Sequence, residues 1–447
     1  MRSLTRNPVG RAVALAALAF VTSCTPSTPG SGSDSYADYN VVLISLDTLR
    51  ADRLGVYGHE RSPSPTLDRL ARRSVVFEDV LAQCSTTAPS HRSLFTGHYV
   101  YEHQNDPNAF PVLPEILRDA GWQTAAFVDG GQLEDVFGFE RGFDLYQQSG
   151  SIHTQGAFVG GGLRSLIPMA TDWIREKRDD RFFPFLHTYD IHCPYNPPEP
   201  FREAYTGRTE FPFEIEGKCG QRYFNFLGLD DEGFGILDDL YDGGVHYTDH
   251  ALAALRRTLE EENLLDRTIF IVTSDHGESL GERQHVGHNQ VREVQLRVPL
   301  MFALPGGPAA NVPAPVQVID ILPTVLSLLD LDFAGSLSGE DLSAAVTGTD
   351  LELPGERFRL AETGNIARKT VRRDRRWSLE ITPNQTYLYD LVNDPNETRN
   401  LIFQEPEIVA DLMAAFEARE IPTDEIIEMP TNMDEATRKQ LDALGYN

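Results

Sequence analysis

Basic residues are scarce in this chain: 39 Lys and Arg stand against 67 Asp and Glu, leaving a net charge of -28 over 447 residues. That balance argues against nucleic acid or an anionic lipid surface as the main partner. Any anionic substrate must then be held by local positive charge, which a bound cation would supply. Long apolar runs are missing too: Ala12 to Val21 is too short to span a bilayer comfortably. No internal repeat is visible, and low complexity is confined to Thr25–Ser33, which excludes a solenoid. Cysteine is sparse at four residues, Cys24, Cys84, Cys193 and Cys219. In an oxidising compartment a Cys193–Cys219 bridge would leave Cys84 free, although spacing alone does not fix the pairing. What remains is an ordinary globular composition, long enough for one large domain and a smaller one.

Arg2, Arg6 and Arg11 precede the short apolar run, the pattern of an export signal. It ends in Val21-Thr22-Ser23-Cys24, which resembles the bacterial lipobox, so residues 1–23 are expected to be a signal peptide and Cys24 the lipidated first residue of the mature chain. Residues 24–38, rich in Ser, Pro and Gly, follow as a flexible tether. The expected location is the periplasm or the surface of a bacterium, with membrane contact through the lipid anchor alone.

Two β-branched runs end in carboxylates. Tyr39 to Leu46 leads to Asp47, and Ile269 to Thr273 leads through Ser274 to Asp275-His276-Gly277. Each reads as a strand buried on both faces, and ligands in such sheets bind just beyond the carboxyl ends of strands. Gly277 is expected where the backbone turns. Further strands are expected at Thr124–Val128, Phe182–Tyr189 and Val298–Ala303, with helices near Thr66–Arg73, Pro111–Ala120, Asp239–Asn263 and Val318–Leu329. That alternation implies a largely parallel sheet with helices on both faces. A Gly, Pro and acid-rich stretch at Gly348–Glu356 marks a boundary, after which strands at Arg376–Ile381 and Thr386–Leu391 and a helical end suggest a small α+β unit.

The segment Cys84-Ser85-Thr86-Thr87-Ala88-Pro89-Ser90-His91-Arg92 places Pro89 in the first turn of a helix, whose amides and dipole would face an anion. Thr87 sits where an anion-binding hydroxyl or a nucleophile would stand, or simply a cap.

Taken together, Asp47, Thr87 and Asp275-His276 resemble the sulfatase family of the alkaline phosphatase superfamily. The likeness extends over Asp47-Thr48-Leu49-Arg50-Ala51-Asp52-Arg53-Leu54-Gly55, over Ser274 to Gly281 with Leu296-Arg297-Val298-Pro299-Leu300, over Asp320-Ile321-Leu322-Pro323-Thr324, and over Leu388 to Pro395. The resemblance implies an alkaline-phosphatase-like three-layer α/β sandwich, with a catalytic domain over 39–347 and a small C-terminal α+β subdomain over 356–447. The departure is at the nucleophile. Sulfatases usually present Cys or Ser there, converted to formylglycine, in a Cys-x-Pro-x-Arg type motif. Counting back from Thr96-Gly97 puts Thr87 at that position and His91 at the Arg position. Cys84 lies three residues too early and lacks a proline two places on, so no formylglycine is expected. Thr-x-Pro-Ser-His looks more like the segment of nucleotide pyrophosphatase and phosphodiesterase relatives, which use an unmodified threonine.

The resemblance implies a metal-dependent hydrolase of anionic esters. Asp47, Asp275, His276 and Thr87 are expected to ligate one divalent ion, with Thr87 also the nucleophile; Ca²⁺, Mg²⁺ or Mn²⁺ suits that set and Zn²⁺ is not excluded. His192, in a His-x-Pro loop, and His288 are expected at the substrate oxygens or leaving group, with His91, Arg92 and His285 as further substrate contacts. A second metal would need another Asp and His, for which Asp249 and His288 are candidates, though a structural role suits the helical position of Asp249 better. The substrate is then a small-molecule, glycan or lipid-headgroup ester, phosphate or phosphonate before sulfate. The reading from another class is a catalytically silent surface lipoprotein.

Overall fold

The computed structural model describes residues 36–129, 131–149, 162–213, 219, 221–350, 353–364, 367–419 and 421; the leader, Cys24 and nearly all of the tether lie outside them. Fourteen strands are assigned among these residues. They are β1 (Asn40–Leu46), β2 (Val75–Leu81), β3 (Gln123–Val128), β4 (Leu145–Gln148), β5 (Phe182–Thr188), β6 (Thr268–Thr273), β7 (Ser279–Leu280), β8 (Val286–Gly287), β9 (Leu300–Ala303), β10 (Ala310–Gln317), β11 (Arg359–Glu362), β12 (Lys369–Arg372), β13 (Trp377–Ile381) and β14 (Thr386–Asp390). Eight form the main sheet in the order β10-β2-β9-β6-β1-β5-β3-β4. β9 runs antiparallel to both neighbours and the other pairs are parallel.

The period-two alternation of the central strands divides the core between the two faces. Val41, Leu43, Phe183, Phe185, Ile269 and Ile271 meet Leu94, Phe95, Leu113, Leu117 and Leu322 on one side. Val42, Ile44, Leu46, Phe182, Leu186 and Val272 meet Leu67, Leu166, Leu237 and Leu252 on the other. Each fully buried Leu or Phe contributes roughly 1.5–3 kcal/mol, so neither face tolerates solvent. This is the largely parallel sheet with helices on both faces expected from the alternation of elements, and the three-layer sandwich that the resemblance implies.

Differences are local. The long helix runs Asp231–Glu261, starting eight residues before the expected Asp239, because the Asp230 side chain caps the Gly233 amide at 3.0 Å. The Val318–Leu329 segment divides into a 3₁₀ turn, Val318–Asp320, and a helix, Ile321–Leu328. β10 was not anticipated, since Pro313 and Pro315 lie within it; it occupies the edge of the sheet, where a missing donor is tolerated.

The antiparallel sheet β11-β12-β13-β14 follows. Leu360, Val371, Leu379 and Leu388 pack with Leu412 and Phe416 of the helix Pro406–Glu417. Ion pairs help tie it to the rest of the chain: Arg359 meets Asp79 of β2 at 2.9 Å in a buried pair, and Arg372 pairs with Glu293 of the short helix Glu293–Leu296. Cys193 and Cys219 form the disulfide, Cα atoms 5.6 Å apart, and Cys84 is free and buried.

Removing one partner of such a pair strands the other in a dry interior. Asp79→Ala is expected to lower the unfolding free energy by about 3–5 kcal/mol, and Asp79→Leu combined with Arg359→Met to recover most of it. Urea unfolding midpoints of the three proteins check this; an unchanged midpoint in Asp79→Ala would show that the pair holds nothing together.

Candidate active site

Register places the two carboxylates together. β1 and β6 pair in parallel from Asn40 opposite Thr268 to Ser45 opposite Thr273, and β5 flanks β1 with Thr188 opposite Leu46. Asp47 and Asp275 therefore emerge just past the ends of adjacent strands. Gly277 is needed there for space, since a Cβ would collide with the Val294 carbonyl; its φ is not positive. Thr87 opens the helix Thr87–Thr96. Its Oγ lies 3.1 Å from Asp47 Oδ2 and 3.3 Å from His276 Nε2. All four residues are fully buried.

The polar atoms around this point leave a gap that a cation fits. Asp47 Oδ1 and Asp275 Oδ2 are buried without a hydrogen-bond donor, while ligand atoms of Asp47, Asp275 and His276 lie within 4.8 Å of one another. His276 Nδ1 donates to the Gly277 carbonyl at 2.9 Å, which leaves Nε2 as a lone pair facing Thr87. Burial, then the charge of Asp275, raises the Asp47 pKa well above the carboxylate range. Burial acts the same way on Asp275, but His276, His91 and His187 together outweigh it and hold its pKa low. Two carboxylates, an imidazole and a hydroxyl form an oxygen-rich set for a divalent ion.

A second cluster adjoins the first. The His288 ring lies 4.6 Å from that of His276, and His288 Nε2 lies 3.2 Å from His192 Nε2. Glu278, which the sequence reading passed over, completes a group whose ligand atoms are within 4.8 Å of one another. Its carboxyl is buried, with the Tyr195 hydroxyl and Cys193 amide facing it but no hydrogen bond of normal geometry closed. Burial pushes its pKa up to about 8.

Over residues 39–331 the chain matches the model of the sulfatase family. The chain belongs to the sulfatase family. It is 24% identical over 408 residues to an ulvan-active sulfatase of Formosa agariphila, covering 81% of this chain and 77% of that protein. It is 25% identical over 397 residues to the multifunctional alkaline phosphatase superfamily protein PehA of Trinickia caryophylli, covering 68% of this chain and 76% of that one. Among solved structures, the phosphonate monoester hydrolase of Agrobacterium radiobacter superposes with a TM-score of 0.69 at 21% identity, over 86% of this chain and 95% of that one, a likeness that carries the fold. Sulfatase-family enzymes use a divalent metal, and the Asp47, Asp275 and His276 group has the donors for one.

Several residues expected to touch substrate in this sulfatase-family pocket stand elsewhere. His91 is fully buried; its Nδ1 donates to the Thr87 carbonyl at 2.9 Å and its Nε2 meets Ser45 Oγ at 2.9 Å, so no ring nitrogen is left for a substrate. Arg92 turns away, donating to the Phe137 carbonyl at 3.1 Å and lying over the Phe139 ring. His285 contacts Gln290 Nε2 at 3.5 Å in the turn between β7 and β8, outside both clusters. Asp249 caps the Thr66 and Leu67 amides at 2.9 and 2.7 Å, the structural role that suited it. The helix amides expected to face an anion are largely taken: Ala88 donates to Gln132 Oε1 at 2.8 Å, Pro89 has none, and Ser90 returns to the Thr86 carbonyl. Cys84 is buried and its thiol pKa is pushed up to about 12 by burial.

Three supporting residues were missed. His187 Nε2 lies 3.1 Å from Asp47 Oδ2, Ser45 holds His91, and Ser90 Oγ donates to the Asp275 carbonyl at 2.6 Å. Ser45 and His187 had a legible signal, a polar residue near the end of an otherwise apolar strand.

Two buried acids facing one gap destabilise the metal-free fold. In chelator, Asp47→Asn is expected to be more stable than wild type by about 0.5–2 kcal/mol. Saturating Mn²⁺ or Ca²⁺ should raise the wild-type melting temperature by mass action and leave the variant unmoved. Thermal unfolding with and without EDTA measures both, and a variant less stable than wild type in EDTA would refute the strain.

Proposed function

We propose that this chain hydrolyses phosphate or phosphonate esters, or transfers their phosphoryl or phosphonyl group, through Thr87 as an unmodified nucleophile. The observation that carries the reading is the Thr87 hydroxyl itself, seated 3.1 Å from Asp47 and 3.3 Å from His276. Counting from Thr96-Gly97, Thr87 occupies the place where relatives carry formylglycine, and the nearest alternative, Cys84, packs against Val100 with its thiol held protonated by burial.

Asp47, Asp275, His276 and Thr87 would hold a divalent cation, which would supply a lowered hydroxyl pKa and positive charge for the non-bridging oxygens. Thr87 Oγ attacks phosphorus, and its proton passes to Asp47 Oδ2, which it already faces. The bond from phosphorus to the alcohol oxygen breaks, and that oxygen leaves with the bonding pair and takes a proton from water. Water, or an acceptor alcohol in a transferase, then attacks phosphorus; the P–Oγ bond breaks and Thr87 recovers its proton. His192 and His288, their Nε2 atoms 3.2 Å apart beside His276, stand where the ester oxygens or the departing oxygen would be met. His91 positions the Thr87 backbone from beneath.

The element at the centre of the ester follows from the nucleophile. A formylglycine hydrate expels sulfate by collapsing to the aldehyde, whereas a threonine ester must be cleaved by attack at its central atom, which phosphorus permits under metal catalysis. The family match and the ulvan-active relative keep sulfate esters as the second substrate class. The basic leader and Cys24 support action at a bacterial membrane, on a small-molecule, glycan or lipid-headgroup ester.

Parallel assays on an aryl sulfate, a phosphate monoester, a phosphate diester and a phosphonate monoester discriminate the classes. A phosphorus ester is expected to be the best substrate, with Thr87→Ala lowering kcat/KM at least roughly 10³-fold, chelator abolishing turnover and Cys84→Ala leaving it unchanged. Rapid sulfate-ester turnover that survives Thr87→Ala and disappears in Cys84→Ala would overturn the assignment.

A further inference from the structure

The carboxamide of Gln132 stands where an anion would otherwise meet the first turn of the Thr87 helix. Gln132 lies in the turn Gly131–Leu133, just past the carboxyl end of β3, and only 4% of it is exposed. The Ala88 amide donates to its side chain at 2.8 Å. A backbone N–H only donates, so the atom it meets is Oε1, and Nε2 takes the other corner of the same planar group. No acceptor among the described residues meets Nε2. A nearly buried NH₂ of that kind, held against the residue that follows the nucleophile, calls for an anionic oxygen.

Tyr189 supplies a second donor. The Gln132 backbone N–H donates to the Tyr189 hydroxyl at 3.1 Å, so the phenol oxygen accepts there and its own proton is left for another group. The Thr87 side chain faces that hydroxyl. The ring is 1% exposed and is held edge-on between His187 and His192, with centroids 4.9 and 5.4 Å away. Gly131, at φ +63°, makes room for it: a Cβ there would come within 2.8 Å of the hydroxyl oxygen.

Both donors are neutral. Guanidinium groups of the neighbouring loops are engaged elsewhere: Arg50 with Asp52 and Glu282, Arg92 with the Phe137 carbonyl, and Arg283 with the Glu397 carbonyl. Asp47 and Asp275 between them match the charge of a divalent ion in the group with His276. We infer that the Gln132 carboxamide and the Tyr189 hydroxyl form the seat for the substrate's non-bridging oxygens beside Thr87, and that this uncharged seat selects esters carrying a single negative charge. Phosphate diesters, phosphonate monoesters and sulfate monoesters belong to that class, whereas a phosphate monoester does so only below its second pKa, about 6. A second charge on the ester would enter a dry site with no cation left to meet it. The inference rests on the reading of Thr87 as nucleophile and narrows its substrates.

A ratio of two rates tests the charge selection, because ionisations of the protein cancel from it. kcat/KM is measured between about pH 5.5 and 8.5 on an aryl phosphate monoester and an aryl methylphosphonate. The monoester rate relative to the phosphonate rate is expected to fall about tenfold per pH unit above pH ~6, as the singly charged form disappears. A ratio that stays flat or climbs there would overturn the inference. Gln132→Glu separates seat from scaffold: it keeps an oxygen for the Ala88 amide and turns the other corner from donor to anion. It is expected to keep the wild-type melting temperature while lowering kcat/KM on the phosphonate at least roughly 10²-fold, and Tyr189→Phe to lower it by a factor on the order of 10². Gln132→Lys should raise the monoester to phosphonate ratio at about pH 8 by roughly tenfold or more. Calorimetric binding to metal-loaded Thr87→Ala gives a readout without turnover: the methylphosphonate ester should bind at least roughly tenfold tighter than the phosphate monoester at about pH 8, and Gln132→Glu added to Thr87→Ala should abolish it. Should Gln132→Glu fail to fold, Tyr189→Phe and the wild-type ratio decide. Turnover that survives Thr87→Ala would sink the nucleophile reading and leave the binding comparison to judge the seat. Thr87-dependent turnover with ester binding unchanged by Gln132→Glu would sink the seat alone.

Discussion

Two carboxylates held side by side out of water set the terms for the rest of this structure. Asp47 and Asp275 are fully buried at the ends of neighbouring parallel strands, and each keeps one oxygen without a donor. Like charges in a low dielectric repel strongly, so the arrangement persists only because the surrounding sheet over-determines it and because positive charge completes it. The parallel pairing of β1 with both β5 and β6 allows no relaxation by register: a slip of one residue would turn every core side chain of β1 to the opposite face. The apolar packing on both sides of the sheet thus fixes the position of the acids, and strain is concentrated where chemistry can use it.

The C-terminal sheet serves the same end from the other side of the pocket. Glu362 of β11 continues pairing with the nucleophile segment, its amide donating to the Gln83 carbonyl at 2.9 Å and its carbonyl accepting from the Ser85 amide at 3.3 Å. The Glu362 side chain meets the Tyr101 amide at 3.1 Å and the Lys369 ammonium at 3.1 Å. The backbone that enters the Thr87 helix is therefore clamped between the large sheet and the small one, which locates the hydroxyl before any ligand arrives.

Much of this was legible in the residue pattern because the central strands are uninterrupted β-branched and aromatic runs, and a run of that kind has one stable environment. β1, β5 and β6 fall within a residue or two of their expected bounds, and Asp47, Thr87, Asp275 and His276 meet as expected. What was not legible depends on pairing between distant segments. β11 and β12, Arg359–Glu362 and Lys369–Arg372, were not anticipated, because burial of their charges relies on Asp79 and Glu293 elsewhere in the chain and on the Glu362–Lys369 pair between the two strands. Glu278 was hidden for the same reason: beside Asp275-His276 in sequence it looks like one more polar residue of a loop, and only the fold brings it to His192 and His288. His91 was read by position alone, which says where a side chain starts but not which atoms it has left to offer.

The imidazoles show how far backbone geometry governs the chemistry of the pocket. His91, His192, His276 and His288 each engage a main-chain carbonyl through Nδ1, at Thr87, Cys193, Gly277 and Ser85 respectively. Each therefore presents Nε2 as an acceptor or ligand atom, and burial lowers the pKa of His91 and His288, favouring the neutral ring. His187 differs, turning Nε2 to Asp47 Oδ2 as a donor. One Nε2 lone pair is consumed by Ser45, which makes His91 a brace for Thr87. The other three point inward, His276 at the carboxylate pair and His192 with His288 at Glu278. With Asp47 Oδ1 and Asp275 Oδ2 lacking donors beside the His276 nitrogen, this end of the pocket is acceptor-rich, and it binds an anionic ester only when a cation stands between the two.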